Sequence, residues 1–237
     1  MKNLSKFIST GITTEGEGGV CISVLEDPKE VLIAPGNSSF LNNLILDIQI
    51  MTAQSFGIEL ENQTDDGVRN HVVNVDALAF IHDNKKVLGF ASAKIPKNEN
   101  VFYLYGVAIA QEFKGKGGAR SLVKALLNLG KFSKIVFTSQ NPIMFCLLRS
   151  LCVDVYPSPD NNGVPDRFSV LGKTLLDNRP GKFNAKTLVI NQLYGKCLYK
   201  TIPRCRQNNV NIWFDSSLNV QDGITRDAFL FIGEGIK

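Results

Sequence analysis

Between Tyr105 and Leu127 the chain reads YGVAIAQEFKGKGGARSLVKALL. An apolar, β-branched run gives way to Gly115, Gly117 and Gly118, after which Leu122, Val123, Leu126 and Leu127 fall on one helical face with Lys124 and Asn128 opposite. A strand that feeds a glycine loop opening an amphipathic helix leaves few folds available. The first amide N–H groups of such a helix point outward with the positive end of its dipole, and glycines let the backbone approach a phosphate without side-chain obstruction. The segment reads as an anion cradle, with Lys114, Lys116 and Arg120 able to add charge near a phosphate.

Which phosphate ligand it suits depends on context, because a short glycine loop is common to several nucleotide-binding folds. No G-x-x-x-x-G-K-[S/T] occurs, and the spacing of the three glycines does not make G-x-G-x-x-G. The preceding elements also differ from a βαβ unit. Strands are expected at Val20 to Leu25 and Val31 to Ala34, then a helix from Phe40 to Phe56, capped by Asn37 or Ser38 and stopped by Gly57. Ala77 to Ile81 and Val87 to Ile95 form a hairpin across the polar turn at residues 82–86, and Val101 to Ala110 follows as the third strand of a meander.

Beyond the loop, Gly130 is a helix stop, Lys134 to Ser139 a buried strand, and Asn141-Pro142 the start of a helix through Leu151. Residues 156–163 turn to Pro, Asn, Asp and Gly, a loop or linker. A helix near Phe168 to Leu176 and strands at Thr187 to Leu193, Val210 to Phe214 and Ala228 to Ile232 complete the chain. The Gly- and Glu-rich run from Thr14 to Gly19 suggests that residues 1–19 are a flexible lead-in.

The charge of +4 arises from 26 basic and 22 acidic residues without a basic run, so nothing indicates a nucleic-acid partner. Five cysteines, with no C-x-x-C pair, suggest neither a zinc site nor a disulfide framework; no metal is expected. Neither a signal peptide nor an apolar run of about 18 residues is visible, which reads as a cytoplasmic protein with no membrane partner. The sequence is silent on oligomeric state.

Strand, then [Q/R]-x-x-G-x-[G/A], then helix resembles the acetyl-CoA motif of the GNAT superfamily of N-acetyltransferases. Lys114-Gly115-Lys116-Gly117-Gly118-Ala119 carries the match, with lysine at 114 where the family usually has glutamine or arginine. The flanks Gly106 to Ala110 and Leu122 to Leu127 also look like the family's. The resemblance implies an α+β fold: a mixed, mostly antiparallel central sheet flanked by helices, with residues 20–156 as the acetyl-CoA-binding core. Residues 157–237 would be a C-terminal extension that completes or covers the sheet.

The resemblance further implies that acetyl-CoA is the co-substrate and an amine the acceptor. The pantetheine arm would pair with the main chain of Val107, Ala108 and Ile109, the pyrophosphate would rest on the amides of residues 115–120, and Asn141 would contact the pantetheine. Direct attack needs a neutral amine, so a base matters, and the leaving thiolate benefits from a proton donor. Many members use a tyrosine seven residues past the asparagine, where this chain has Leu148, and Phe145 offers no hydroxyl. Tyr103, Tyr105 and Tyr156 are substitutes for the acid, although tyrosines in apolar strands more often pack in a core. Glu112 is the candidate base, with a solvated loop position as the plainer reading. His71 follows a polar stretch and His82 sits beside Asp83; both read as surface residues. An inactive CoA-binding regulatory module is the alternative function.

Overall fold

The computed structural model describes residues 12–15, 20–62, 64–83, 86–97, 100–161, 163–177 and 179–237. The chain divides into two compact units, Met1–Phe132 and Ser133–Lys237. The division falls inside the 20–156 stretch that the sequence reading takes as one core.

The N-terminal unit holds five strands in antiparallel sequence order: β1 (Ile12–Glu15), β2 (Cys21–Glu26), β3 (Ala77–His82), β4 (Val87–Lys94) and β5 (Val101–Ile109). Every residue of β3 and all but the last of β4 are buried, so both faces of this sheet are covered. The cover comes from α2 (Ser38–Phe56) and α4 (Gly118–Leu127), both packed on the sheet. Leu41, Leu44, Ile45, Ile48 and Met51 line the buried stripe of α2, meeting Leu78, Phe80 and Phe90 in one core. Each such buried side chain contributes about 1.5–3 kcal/mol relative to exposure. Gly57 ends α2 with φ 68°, in the left-handed region, as its place after the stripe predicts.

Two shorter helices complete this unit, α1 (Pro28–Leu32) and α3 (Asp65–Val72). The strand expected at Val31 to Ala34 is not there: Pro28 sits at the first helical position and Leu32 is buried, so the apolar run belongs to α1 and the turn after it. α3 escaped notice because its charged sequence, DDGVRNHV, buries only Val68 and Val72; Thr64 caps it by accepting a hydrogen bond from the Gly67 N–H at 3.1 Å. Residues 12–15, expected in the flexible lead-in, form β1, while residues 1–11 and 16–19 of that lead-in lie outside the described residues. The turn residues 84 and 85 also lie outside them.

In the C-terminal unit β6 (Lys134–Ser139) pairs with β10 (Ala228–Ile236) over six antiparallel pairs, from Phe229 with Ser139 to Glu234 with Lys134. The other edge of β10 is shared. Its first residues pair with β9 (Val189–Asn191), which pairs with β8 (Lys182–Asn184), and its later residues pair with β7 (Cys152–Tyr156). β7 is unexpected from the sequence, which suggests a loop only from Tyr156 onward and no element at residues 153–155. Three helices pack here: α5 (Pro142–Leu151), α6 (Asp166–Leu176) and α7 (Asn208–Ser217).

The strand expected at Val210 to Phe214 is a correction: it is the centre of α7. Val210 and Phe214, one helical turn apart, are buried and Ile212 between them is 60% exposed, so helical periodicity overrides the segment's β-rich composition. Trp213 of α7 stacks on Phe229 at 4.6 Å between ring centroids, and Phe145 of α5 meets Trp213 at 5.3 Å and Phe231 at 5.6 Å. This aromatic cluster ties both helices to β10. Overall the chain has a mixed fold of antiparallel sheet flanked by helices. No described helix is long and apolar enough to cross a membrane.

Candidate functional site

The glycine segment begins where β5 ends and opens α4. Gly115 and Gly117 both have φ 78°, a conformation that L side chains rarely adopt, and a Cβ built on either would meet nothing within 4 Å. Their lack of side chains serves conformation and access. Gly118 serves packing instead: a Cβ there would lie 2.9 Å from the Phe113 ring and 3.1 Å from Ile81 Cδ1. Gly117 is the cap residue of α4, and no side chain caps this end of the helix. An exposed, side-chain-free helix start is what a pyrophosphate requires, so the residues present fit the group.

Charge around the loop is mostly positive. Lys114, Lys116 and Arg120 are exposed, Lys116 lies 5.5 Å over the Phe113 ring, and desolvation lowers the Lys114 ammonium from the ordinary lysine range. Glu112, the candidate base, is ion-paired at the surface with Lys86, whose hydrogen bond holds its carboxyl below the usual range. A carboxylate held ionised by a lysine can still accept a proton only at the expense of that pair.

Of the proposed pantetheine-pairing residues, Val107, Ala108 and Ile109 face β4 along one edge, opposite Ala91, Phe90 and Gly89. The Ile109 carbonyl also accepts a hydrogen bond from Ser55 Oγ of α2 at 2.8 Å, which fixes the end of the strand just before the loop. The register of β4 against β5 slips between Ser92 and Ala93: Ser92 stands opposite Gly106, Ala93 opposite Leu104, and Tyr105 is the extra residue. Tyr103 is buried, Tyr105 is half-buried, and their rings lie 6.4 Å apart.

His82 departs from its surface reading: at the end of β3 it is 1% exposed, its Nε2 lies 3.0 Å from Ser23 Oγ, and burial lowers its pKa. Its Nδ1 has no partner among the described residues. His71 is half-buried and its ring lies 4.5 Å from that of Tyr105.

The C-terminal unit carries the remaining candidates. Asn141 Oδ1 caps α5 by accepting from the Ile143 N–H at 2.9 Å, and Asn141 Nδ2 donates to Tyr199 Oη at 3.3 Å. Burial pushes the Tyr199 phenol up to about 12, which keeps it protonated at neutral pH. Leu148 is fully buried in α5, and Tyr156 packs on Phe168 at 4.8 Å. Sequence reasoning missed Ser55, Ser92 and Tyr199. Only their three-dimensional neighbours single them out, since each sits in an otherwise ordinary helix, strand or loop. Among the described residues no group of His, Cys, Asp and Glu could hold a metal ion.

Residues 51–141 match the model of the Acetyltransferase (GNAT) family. No curated protein sequence matches the chain significantly. Among solved structures, ribosomal-protein-S18-alanine N-acetyltransferase from Escherichia coli is 9% identical, with a TM-score of 0.47 over 91% of this chain and 95% of that one. Diaminobutyrate acetyltransferase EctA from Paenibacillus lautus is 13% identical, with a TM-score of 0.42 over 90% of this chain and 94% of that one. The PaiA N-acetyltransferase from Thermoplasma acidophilum is 13% identical, with a TM-score of 0.40 over 60% of this chain and 93% of that one. The match to the Acetyltransferase (GNAT) family takes in α3, the β3–β5 meander, the open glycine loop and α4.

Proposed function

We propose that this protein moves the acetyl group of acetyl-CoA to a primary amine, of a small molecule or a protein, by direct attack of the amine on the thioester. The observation that carries this reading is the coincidence of the family match at 51–141 with a loop whose two outward glycines face open space at an uncapped helix start. In this reading the amides of residues 115–120 hold the pyrophosphate, Lys114, Lys116 and Arg120 add charge, and Val107, Ala108 and Ile109 align the pantetheine. The amine nitrogen forms the bond to the thioester carbon, the C–S bond breaks, and CoA departs as thiolate. Incubation with acetyl-CoA and a panel of primary amines, with release of free thiol as the signal, tests this; a folded, CoA-binding protein that never exceeds background overturns it.

A second reading, a CoA-binding regulatory module without turnover, is favoured by one feature. Leu148 fills the position where a proton-donating tyrosine would stand, and it is buried in the core. Affinity for acetyl-CoA without transfer to any amine would select this reading over the first.

A further inference from the structure

The bulge on β5 brings together a set of polar groups that the acetyl-CoA loop does not use. Ser92 is fully buried, and its hydroxyl has no hydrogen-bond partner among the described residues. A buried hydroxyl gives up its hydration with nothing in return, so its retention calls for a reason. Opposite it on β5 stands Gly106, where a Cβ would lie 2.7 Å from His71 Nδ1 and 3.2 Å from Ser92 Oγ. Glycine at 106 is therefore what lets the imidazole from α3 settle against the strand beside the hydroxyl. The Tyr105 ring packs against the imidazole at 4.5 Å and carries the Lys94 ammonium 4.3 Å from its centroid. His71 thus sits in a half-buried pocket of fixed geometry, the environment of a working group more than of a solvated one.

Position along β5 gives this pocket its meaning. If the pyrophosphate rests on the loop after the strand and the pantetheine runs back along Val107 to Ile109, the reactive end of acetyl-CoA comes next to Gly106 and Tyr105, beneath His71. We propose that His71 is the proton acceptor for the attacking amine, with Ser92 as a hydrogen-bonding group on the floor of the same pocket; this rests on the acetyl-transfer reading above. As the amine nitrogen bonds to the carbonyl carbon and the C–S bond breaks, a proton leaves nitrogen for the imidazole, and the imidazolium then releases it to the departing thiolate or to water. Tyr105 on β5 faces the imidazole and, across that ring, Lys94 on β4. Arg69 and Asp65 pair with each other on α3 itself, and Asp47 is the carboxylate carried by α2, which packs on α3.

The test measures acetyl transfer and acetyl-CoA binding for the full chain, His71→Gln, His71→Ala and Gly106→Ala. His71→Gln is expected to lower kcat by about 10²–10⁴-fold while leaving acetyl-CoA affinity within about threefold, and to remove an ascending limb from the pH profile of kcat/KM. Added imidazole should restore part of the rate to His71→Ala, a rescue that a structural role would not produce. Gly106→Ala, which displaces the ring without deleting it, should lower kcat in the same direction. Transfer by His71→Gln at the wild-type rate with an unchanged pH profile overturns the assignment while leaving the acetyltransferase reading intact. Absence of transfer by the wild type itself overturns both.

Discussion

The two units use their polar groups in opposite ways. In the C-terminal unit they are turned inward and matched: buried Gln140 donates to the carbonyls of Thr225 and Asp227 at 2.8 and 3.1 Å, and its own carbonyl accepts from the Leu198 N–H at 3.1 Å. Asp227 accepts from the Gln192 N–H, Asn191 and Asn219. In the N-terminal unit the notable groups stay uncommitted: glycines 115 and 117 face open space, and the Ser92 hydroxyl is buried without a partner among the described residues. Satisfied networks hold a fold in one state, whereas exposed backbone and poised side chains are left for a ligand.

The comparison breaks most visibly if the C-terminal unit is cut. Ending the chain at Tyr156 removes β10 and leaves β6 without its six-pair partner, so the fragment is expected to be insoluble or to melt without cooperativity by calorimetry. A soluble fragment with a sharp transition would show that β6 does not depend on β10. In the N-terminal unit Gly117→Asp should cost at least about 100-fold in acetyl-CoA affinity by titration calorimetry, through like-charge repulsion. The fold should survive, because aspartate tolerates the left-handed region better than most residues; unchanged affinity in a folded variant would show that the loop does not hold phosphate.

Smaller effects sharpen the contrast. Gln140→Leu strands three backbone partners, two of them buried carbonyls, and is expected to cost about 2–4 kcal/mol, seen as a lowered Tm; an unaltered Tm would mean that the network is replaceable by packing. Least of all, His82 should make stability depend on pH. Its folded pKa is lowered by burial, so protons bind the unfolded chain more readily; stability is complete above about pH 6.5 and declines as pH falls from there toward the lowered folded value. His82→Gln should flatten the Tm profile between about pH 5 and 7, and a profile identical to wild type would refute this.

Legibility followed the range of the forces involved. Gly57 and the Asn141-Pro142 start announce helix ends by local backbone chemistry, and the stripe of α2 by its spacing, so these were readable in the sequence. The residues at 210–214 misled because β-branched and aromatic composition is local, whereas the packing of Phe214 on Phe229 and Phe231 depends on a separate element, β10. His82 misled for the same reason, since its partner Ser23 is 59 residues away. The loop at 114–118 was legible because backbone conformation demands glycine at 115 and 117 and close packing demands it at 118. The pocket at Ser92, Gly106 and His71 was not, because three separate elements assemble it and none carries a motif.

The central position of β10 also sets an order of events in synthesis. The strands of the N-terminal unit each pair with the next in sequence, so that sheet can close as it emerges. For its partner within the C-terminal unit β6 must instead wait for residues 228–236, and at ~5–20 residues per second the delay is on the order of ten seconds. Throughout it, Ile135, Val136 and Phe137 lack the β10 partner beside which they are buried in the finished fold, so folding of this unit cannot be completed before the last residues are made.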